Sequence, residues 1–164
     1  YHFQILIWSR DSLKEVKWSL RPGHLWIALP AALAGPLLFF LLPYIAHTEL
    51  STWLVQYHLS GAALVVMIPY FGFVHPLLEQ MHWAPLRRQS PVAHLAFAGY
   101  HMLVLYSLLT LPWLIISFVV LATASFAWRW MTEHSGVLAV PVLSHVLADL
   151  GIIVAAWMMA AMIS

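Results

Sequence analysis

The sequence predicts an all-α membrane protein, a polytopic bundle of about five transmembrane helices. Of its 164 residues, 63% are hydrophobic and only 8% are charged, which leaves too few polar side chains to cover a water-soluble globule. The net charge of +1 excludes a nucleic-acid binder, because phosphate contacts need a concentrated basic stripe. Since the chain has no cysteine, it has no disulfide, no thiolate metal site and no cysteine nucleophile.

Residues 1–23 precede the first apolar run and are predicted to form an amphipathic leader at the membrane interface. Ser12 and Glu15 have the spacing of a capping box, so a short helix can begin there. Its apolar side chains would lie on one side, and its lysine and arginine side chains would face the lipid headgroups. The remainder, residues 24–164, is predicted to be one transmembrane domain.

Five apolar runs follow, each close to the roughly 20 residues that a helix needs to cross the hydrocarbon core. Prolines in the first run and at Pro69 and Pro76 are expected to kink helices, and the second helix can extend, bent, towards Gln80. The five runs are residues 24–46, 51–73, 92–111, 113–131 and 137–162.

The positive charges predict the orientation of these spans. They lie in the amino-terminal segment, at Arg87 and Arg88 in the connection 74–91, and at Arg129 near the end of the fourth run. All of these positions face one side of the membrane. By the positive-inside rule, the amino terminus is predicted to be cytoplasmic and the carboxyl terminus to lie on the opposite side.

Ionisable residues within the runs are candidate functional residues, because placing one at the bilayer centre costs about 2.5–3.5 kcal/mol on insertion scales. His145 and Asp149 are four residues apart and therefore share a helix face. At 1.5 Å per residue from the cytoplasmic starts of their runs, His101 and His145 lie about 13 and 12 Å deep. Glu79 enters from the same side. These four side chains are predicted to converge in one buried polar cluster.

The same residues carry a resemblance to the CPBP family of intramembrane proteases, the group of CAAX prenyl proteases and bacteriocin-processing proteins. The family's motif H-x-x-x-N/D is matched by H-V-L-A-D at residues 145–149, and its motif F-x-x-x-H by F-A-G-Y-H at residues 97–101. Where the family has E-E-x-x-x-R, this chain has E-Q-M-H-W-A at residues 79–84, which keeps the first acid and replaces the second acid and the arginine. The resemblance covers about residues 70–155, roughly the family's four-helix core.

This resemblance implies an intramembrane endopeptidase that acts on a membrane-embedded peptide. Glu79 would be the base that activates a water, with His101, His145 and Asp149 completing the catalytic group. The resemblance leaves open whether a metal or a glutamate-activated water acts. If a metal is used, Glu79, His101 and His145 are the two-histidine, one-carboxylate set that suits Zn²⁺ with an open position.

A second interpretation is a catalytically degenerate subunit that scaffolds a larger membrane complex. The altered first motif, the ten histidines and the nine tryptophans favour it. Histidines inside the bundle would then ligate haem iron or the magnesium of a chlorin, with His58 and His94 as candidates and His75 and His82 as spares. The absence of an internal repeat argues against a transporter built from two alternating halves.

Overall fold

The computed structural model describes residues 17–163, and the chain forms six helices in this range. Residues 17–163 contain no strand beyond an isolated bridge between Ala46 and Leu109, so the predicted all-α fold class is confirmed. The predicted leader helix at Ser12 lies outside the described residues. In chain order, the helices are α1 (Pro22–Ile45), α2 (Leu50–Gln56), α3 (Ala62–Gln89), α4 (Val92–Leu105), α5 (Leu111–Ser135) and α6 (Ala139–Ile163).

Four of these helices, α1, α3, α5 and α6, are long and apolar enough to cross a membrane. The fifth apolar helix, α4, has 14 residues, which at the helical rise of 1.5 Å span about 21 Å and fall short of the roughly 30 Å hydrocarbon core. Large apolar side chains such as Phe40, Leu103 and Met162 are exposed on the outside of the bundle. An exterior of this kind is solvated by lipid, and the chain is an integral membrane protein.

The second predicted run, residues 51–73, is wrong as a single helix. The chain leaves α2 at Gln56 and turns before α3 begins, with His58 and Gly61 at positive φ of 58° and 56°. Residues of a right-handed helix have negative φ, so no single helix can run through both positions. The predicted bent extension of this helix towards Gln80 is present and continues to Gln89, so the final segment of α3, His75–Gln89, makes most of the predicted connection 74–91 helical. The hydropathy of this segment is too low to predict a membrane helix, because it contains polar residues. These residues are tolerated in the helix because they contact polar partners inside the bundle.

Irregular turns occur in α1 and α3 next to prolines. In α1, the segment Leu29–Leu33 is a 3₁₀ turn. In α3, the segment Tyr70–Val74 is a π turn that lies between Pro69 and Pro76. A proline has no N–H to donate to the preceding turn, so the backbone ladder is interrupted at these places, as the prolines predict.

The last helix, α6, lies at the centre of the bundle and packs against α1, α3 and α5. It meets α1 backbone to backbone, because a Cβ atom built on Gly35 would come within 2.6 Å of the carbonyl carbon and oxygen of Gly151. It also meets the π turn of α3, where a Cβ on Gly72 would lie 2.8 Å from Leu150 Cδ1. Small residues therefore set how closely α6 approaches both helices.

The two ends of the bundle differ in charge. At one end, the connections before α2 and after α4 pair through Thr110 N and Ile45 O at 3.1 Å, and Trp53 Nε1 donates to Ser107 Oγ at 3.0 Å. The opposite end carries the described lysine and arginine residues. There, Leu138 N donates to Lys17 O at 3.2 Å, and Arg129 Nη1 donates to the carbonyl of Arg87 at 3.1 Å. We call this second region the cationic end.

Candidate functional site

Four ionisable side chains come together between α3 and α6, and we call them the polar ring. His75 and Glu79 lie four residues apart on α3, and His145 and Asp149 lie four residues apart on α6. This spacing puts both members of each pair on one helix face. Because α3 and α6 pack against each other, the two faces meet.

Histidines and acids alternate around the polar ring. His145 Nε2 lies 3.4 Å from both Glu79 Oε2 and Asp149 Oδ2. His75 closes the ring on the other side, with Nε2 at 3.6 Å from Glu79 Oε1 and Nδ1 at 3.9 Å from Asp149 Oδ2. These separations are longer than an ideal hydrogen bond.

The polar ring is buried on one side and reaches the molecular surface on the other. The side chains of Glu79 and His145 are 1% and 3% exposed, whereas those of His75 and Asp149 are 24% and 25% exposed. Glu79 precedes the end of α3 by ten residues, and Asp149 follows the start of α6 by ten residues. At the helical rise of 1.5 Å per residue, both lie about 15 Å from the cationic end. We call the partly exposed side of the ring, formed by His75 and Asp149, its open edge, and it lies near mid-depth of the bundle.

A buried hydrogen-bond chain supports the ring from the cationic end. Gln80 Nε2 lies 3.1 Å from His145 Nδ1, and Arg87 Nη2 makes a short hydrogen bond to Gln80 Oε1. Arg87 Nη1 also lies 3.4 Å from Ser125 Oγ. Gln80 and Arg87 are fully buried within the bundle. These hydrogen bonds supply buried polar partners on the side of His145 that faces away from the acids.

Aromatic rings enclose the same region. The Trp128 ring stacks on the His145 ring with centroids 4.1 Å apart and an interplanar angle of 25°. The guanidinium carbon of Arg87 lies 5.7 Å from the Trp128 centroid and 5.9 Å from the Phe97 centroid. Aromatic faces attract a cation at this distance, which offsets part of the free-energy cost of burying Arg87.

The structure places Arg87 differently from the sequence prediction. The sequence predicts Arg87 in the connection 74–91 at the cytoplasmic side, but it lies inside α3 and is fully buried. Sequence reasoning also left His75, Gln80 and Arg87 out of the cluster. A signal for each was available, because His75 precedes Glu79 by one turn and Arg87 follows Gln80 by two turns on the same face.

His101 lies beside the polar ring and not within it. Its Nδ1 donates to the Phe97 carbonyl at 2.8 Å, and its Nε2 lies 3.2 Å from the Tyr100 hydroxyl. The Phe97 ring packs against His101 at 4.7 Å and against His145 at 6.3 Å, so it stands next to both. Of the four predicted site residues, the structure brings Glu79, His145 and Asp149 into direct contact and leaves His101 in the neighbouring layer.

The predicted zinc set is not assembled in the part of the chain that the structure describes. No group of three or more His, Asp or Glu side chains among residues 17–163 has an arrangement that could hold a metal ion. The second nitrogen of His101 is engaged by Tyr100, which takes it out of the set formed with Glu79 and His145.

The two histidines predicted for a haem or chlorin lie far from each other along the bundle. His58 is exposed in the turn after α2, next to the end that carries Trp53. His94 lies in the first turn of α4, close to the cationic end, where it is fully buried. Its Nδ1 is hydrogen-bonded to Ser125 Oγ at 2.9 Å, and its ring stacks on Phe126 with centroids 3.8 Å apart. The two side chains cannot share one ligand.

Comparison of the chain with known protein families, with characterised proteins and with solved structures finds no match. The resemblance to the CPBP motifs therefore stays a prediction from the sequence.

Proposed function

We propose that this protein is an intramembrane endopeptidase of the CPBP type, with the polar ring as its active site. The observation that carries the proposal is the position of His145 Nε2, 3.4 Å from the carboxylates of both Glu79 and Asp149. Glu79 belongs to the segment that resembles the E-E-x-x-x-R motif, and His145 and Asp149 belong to the H-x-x-x-N/D motif, which lies far from it in the sequence. Their meeting at a buried site supports a shared chemical role.

In this proposal Glu79 is the general base. Its carboxylate takes a proton from a water, the water oxygen attacks the carbonyl carbon of the peptide bond, and the proton then passes to the leaving amide nitrogen as the C–N bond breaks. Asp149 accepts a hydrogen bond from the water and so orients it, and the His145 Nε2–H donates to the carbonyl oxygen as negative charge develops there. His75 borders the open edge, where it can contact the incoming backbone. His101 packs behind Phe97 and has no assigned step.

The position of the ring favours a membrane-embedded peptide as the substrate. Its open edge lies about 15 Å from the cationic end, at a depth where the surrounding surface is apolar. A peptide that reaches this edge has left water and lies in or beside the hydrocarbon region. The carboxylates and histidines then provide the polar environment in which its peptide bond can be hydrolysed.

A proteolysis assay in reconstituted vesicles tests the proposal. A general base contributes about 10²–10⁴-fold to the rate, so Glu79→Gln is expected to slow cleavage of a membrane-tethered peptide library by that factor. Glu133→Gln is the matched control, because it makes the same change at an exposed glutamate on α5. The proposal fails if the wild-type protein cleaves nothing in the library, or if Glu79→Gln cleaves as fast as the control.

We also propose that the cationic end faces the cytoplasm, which puts the amino terminus inside and the carboxyl terminus on the opposite side. Because the native sequence has no cysteine, single cysteines report the sidedness directly. In sealed cells, Glu49→Cys at the other end is expected to react with a membrane-impermeant maleimide, and His134→Cys is expected to react only after permeabilisation. The reverse pattern would contradict this orientation.

The alternative function is a subunit of a larger membrane complex that ligates haem or chlorin. One observation favours it: His94 is buried with Nδ1 bonded to Ser125, and its Nε2 has no hydrogen-bond partner among the described residues. Metal-bound histidines commonly have this pattern, in which the second nitrogen is fixed by a hydrogen bond. A visible absorption spectrum of gently extracted protein tests the alternative, since a pigment band that is lost in His94→Leu would support it.

A further inference from the structure

The hydrogen-bond chain behind the polar ring runs in one direction. Arg87 contacts Gln80 Oε1, Gln80 Nε2 contacts His145 Nδ1 at 3.1 Å, and His145 Nε2 faces the two carboxylates at 3.4 Å. Arg87, Gln80 and His145 are all buried. In such an environment, a donor that faces a donor loses its hydrogen bond to water and gains nothing in return.

Because Arg87 can only donate hydrogen bonds, it determines the donor and the acceptor in each hydrogen bond that follows. A guanidinium has only donors, so the atom of Gln80 that it contacts must be the amide oxygen. The amide nitrogen of Gln80 therefore faces His145, and since an NH₂ group only donates, His145 Nδ1 must accept with its lone pair. A neutral imidazole with an unprotonated Nδ1 carries its proton on Nε2. That Nε2–H points at Glu79 and Asp149.

We propose that Gln80 and Arg87 are positioning residues that hold His145 in the tautomer with its proton on Nε2. The part His145 then plays in catalysis rests on the proposed function: it donates a hydrogen bond at the site, and proton abstraction falls to Glu79. Trp128 stacks on the His145 ring and opposes the rotation that would exchange its nitrogens.

The identity of residue 80 decides this polarity. In the resembled motif an acid occupies this position, whereas this chain has Gln80. A carboxylate there would accept a hydrogen bond from a protonated His145 Nδ1 and would still pair with Arg87. Gln80→Glu is therefore expected to reverse the direction of the Nδ1 hydrogen bond while it preserves the contact that buries Arg87.

Nitrogen NMR of the full chain, labelled with ¹⁵N-histidine and reconstituted in lipid, measures the tautomer directly. The His145 signals are assigned by their loss in His145→Gln. In the wild type we expect an unprotonated, pyridine-type Nδ1 and a protonated, pyrrole-type Nε2. In Gln80→Glu we expect Nδ1 to become pyrrole-type. Gln89→Glu is the matched control on the same helix, since Gln89 is exposed, and it should leave both signals unchanged.

A pyrrole-type Nδ1 in the wild type would overturn the inference, and this single spectrum decides even if Gln80→Glu does not fold. An unchanged Nδ1 in folded Gln80→Glu would also overturn it. Failure of the protease proposal looks different. A wild type that cleaves nothing but has a pyridine-type Nδ1 keeps the positioning role and loses the catalytic one, whereas cleavage together with a pyrrole-type Nδ1 overturns the inference alone.

Discussion

The substitution Gly35→Ala tests the contact between α1 and α6 that positions the polar ring. A Cβ on Gly35 would lie 2.6 Å from Gly151 C and O, whereas an ordinary contact needs at least 3.4 Å. The helices must therefore separate locally by about 0.8 Å. No side-chain rotation can relieve this clash, because both Gly151 atoms belong to the backbone.

The expected magnitude is a balance of two opposed effects. Overpacking a close contact costs about 1–3 kcal/mol, and replacing a helical glycine by alanine returns up to about 1 kcal/mol through helix propensity. We expect Gly35→Ala to lower the free energy of unfolding by about 1–2 kcal/mol. Because Asp149 lies two residues before Gly151, the displacement also moves its carboxylate relative to His145, and peptide cleavage should fall as well.

Denaturant titration of the purified protein in micelles measures the free energy of unfolding. Gly99→Ala is the matched control, because the nearest atom to its new Cβ, Phe118 Cε2, lies 4.0 Å away. Gly151→Ala should fall between the two variants, since its closest contacts, to Gly35 Cα and N, are 3.2 Å. If Gly35→Ala is as stable as Gly99→Ala, the backbone contact does not limit the approach of α1 and α6, and the reasoning is refuted.

Three further substitutions are predicted to affect stability to different extents in the same titration. Arg87→Met leaves the buried acceptor of Gln80 without its donor and should lower the free energy of unfolding by about 1–3 kcal/mol; a stability equal to that of the wild type would contradict the supporting role of Arg87. Glu133→Gln breaks the exposed pair with Arg129, 2.8 Å long and one helical turn apart, and should change stability by no more than about 0.5 kcal/mol. Gly136→Ala places a side chain at φ +71° after α5 and should cost about 1 kcal/mol, although a Cβ there meets no atom within 4 Å; no loss would show that the backbone relaxes.

The part of the polar ring that lies on α6 can be predicted from the sequence for a simple physical reason. His145 and Asp149 lie on one uninterrupted helix, so a spacing of four residues is enough to place them together. Glu79 is predicted to join them because it enters from the same side of the membrane, and it does contact His145. His101 was included on its depth, but depth does not determine which side of a helix faces the neighbour. Here Phe97 occupies the position next to His145.

The remaining site residues could not be read from a single segment. Arg87 looks like an interfacial cation because charged residues near span ends usually are. It is buried because Gln80, Ser125 and Trp128 provide an acceptor, a hydroxyl and an aromatic face, and two of these come from α5. The sequence does not distinguish His75 from the other spare histidines, and only the packing of α3 on α6 places it opposite Asp149.

By itself, the sequence determined that the chain is an integral membrane protein built as a bundle of helices. It also determined that the cations lie towards one end and that a histidine–aspartate pair lies inside α6. These properties follow from composition and from spacing within one helix, which do not depend on what surrounds it. Only the tertiary structure decided that α3 continues through its polar second half and which of ten histidines face an acid. A buried polar group is tolerated when another helix satisfies it, and that partner is known only once the helices have packed.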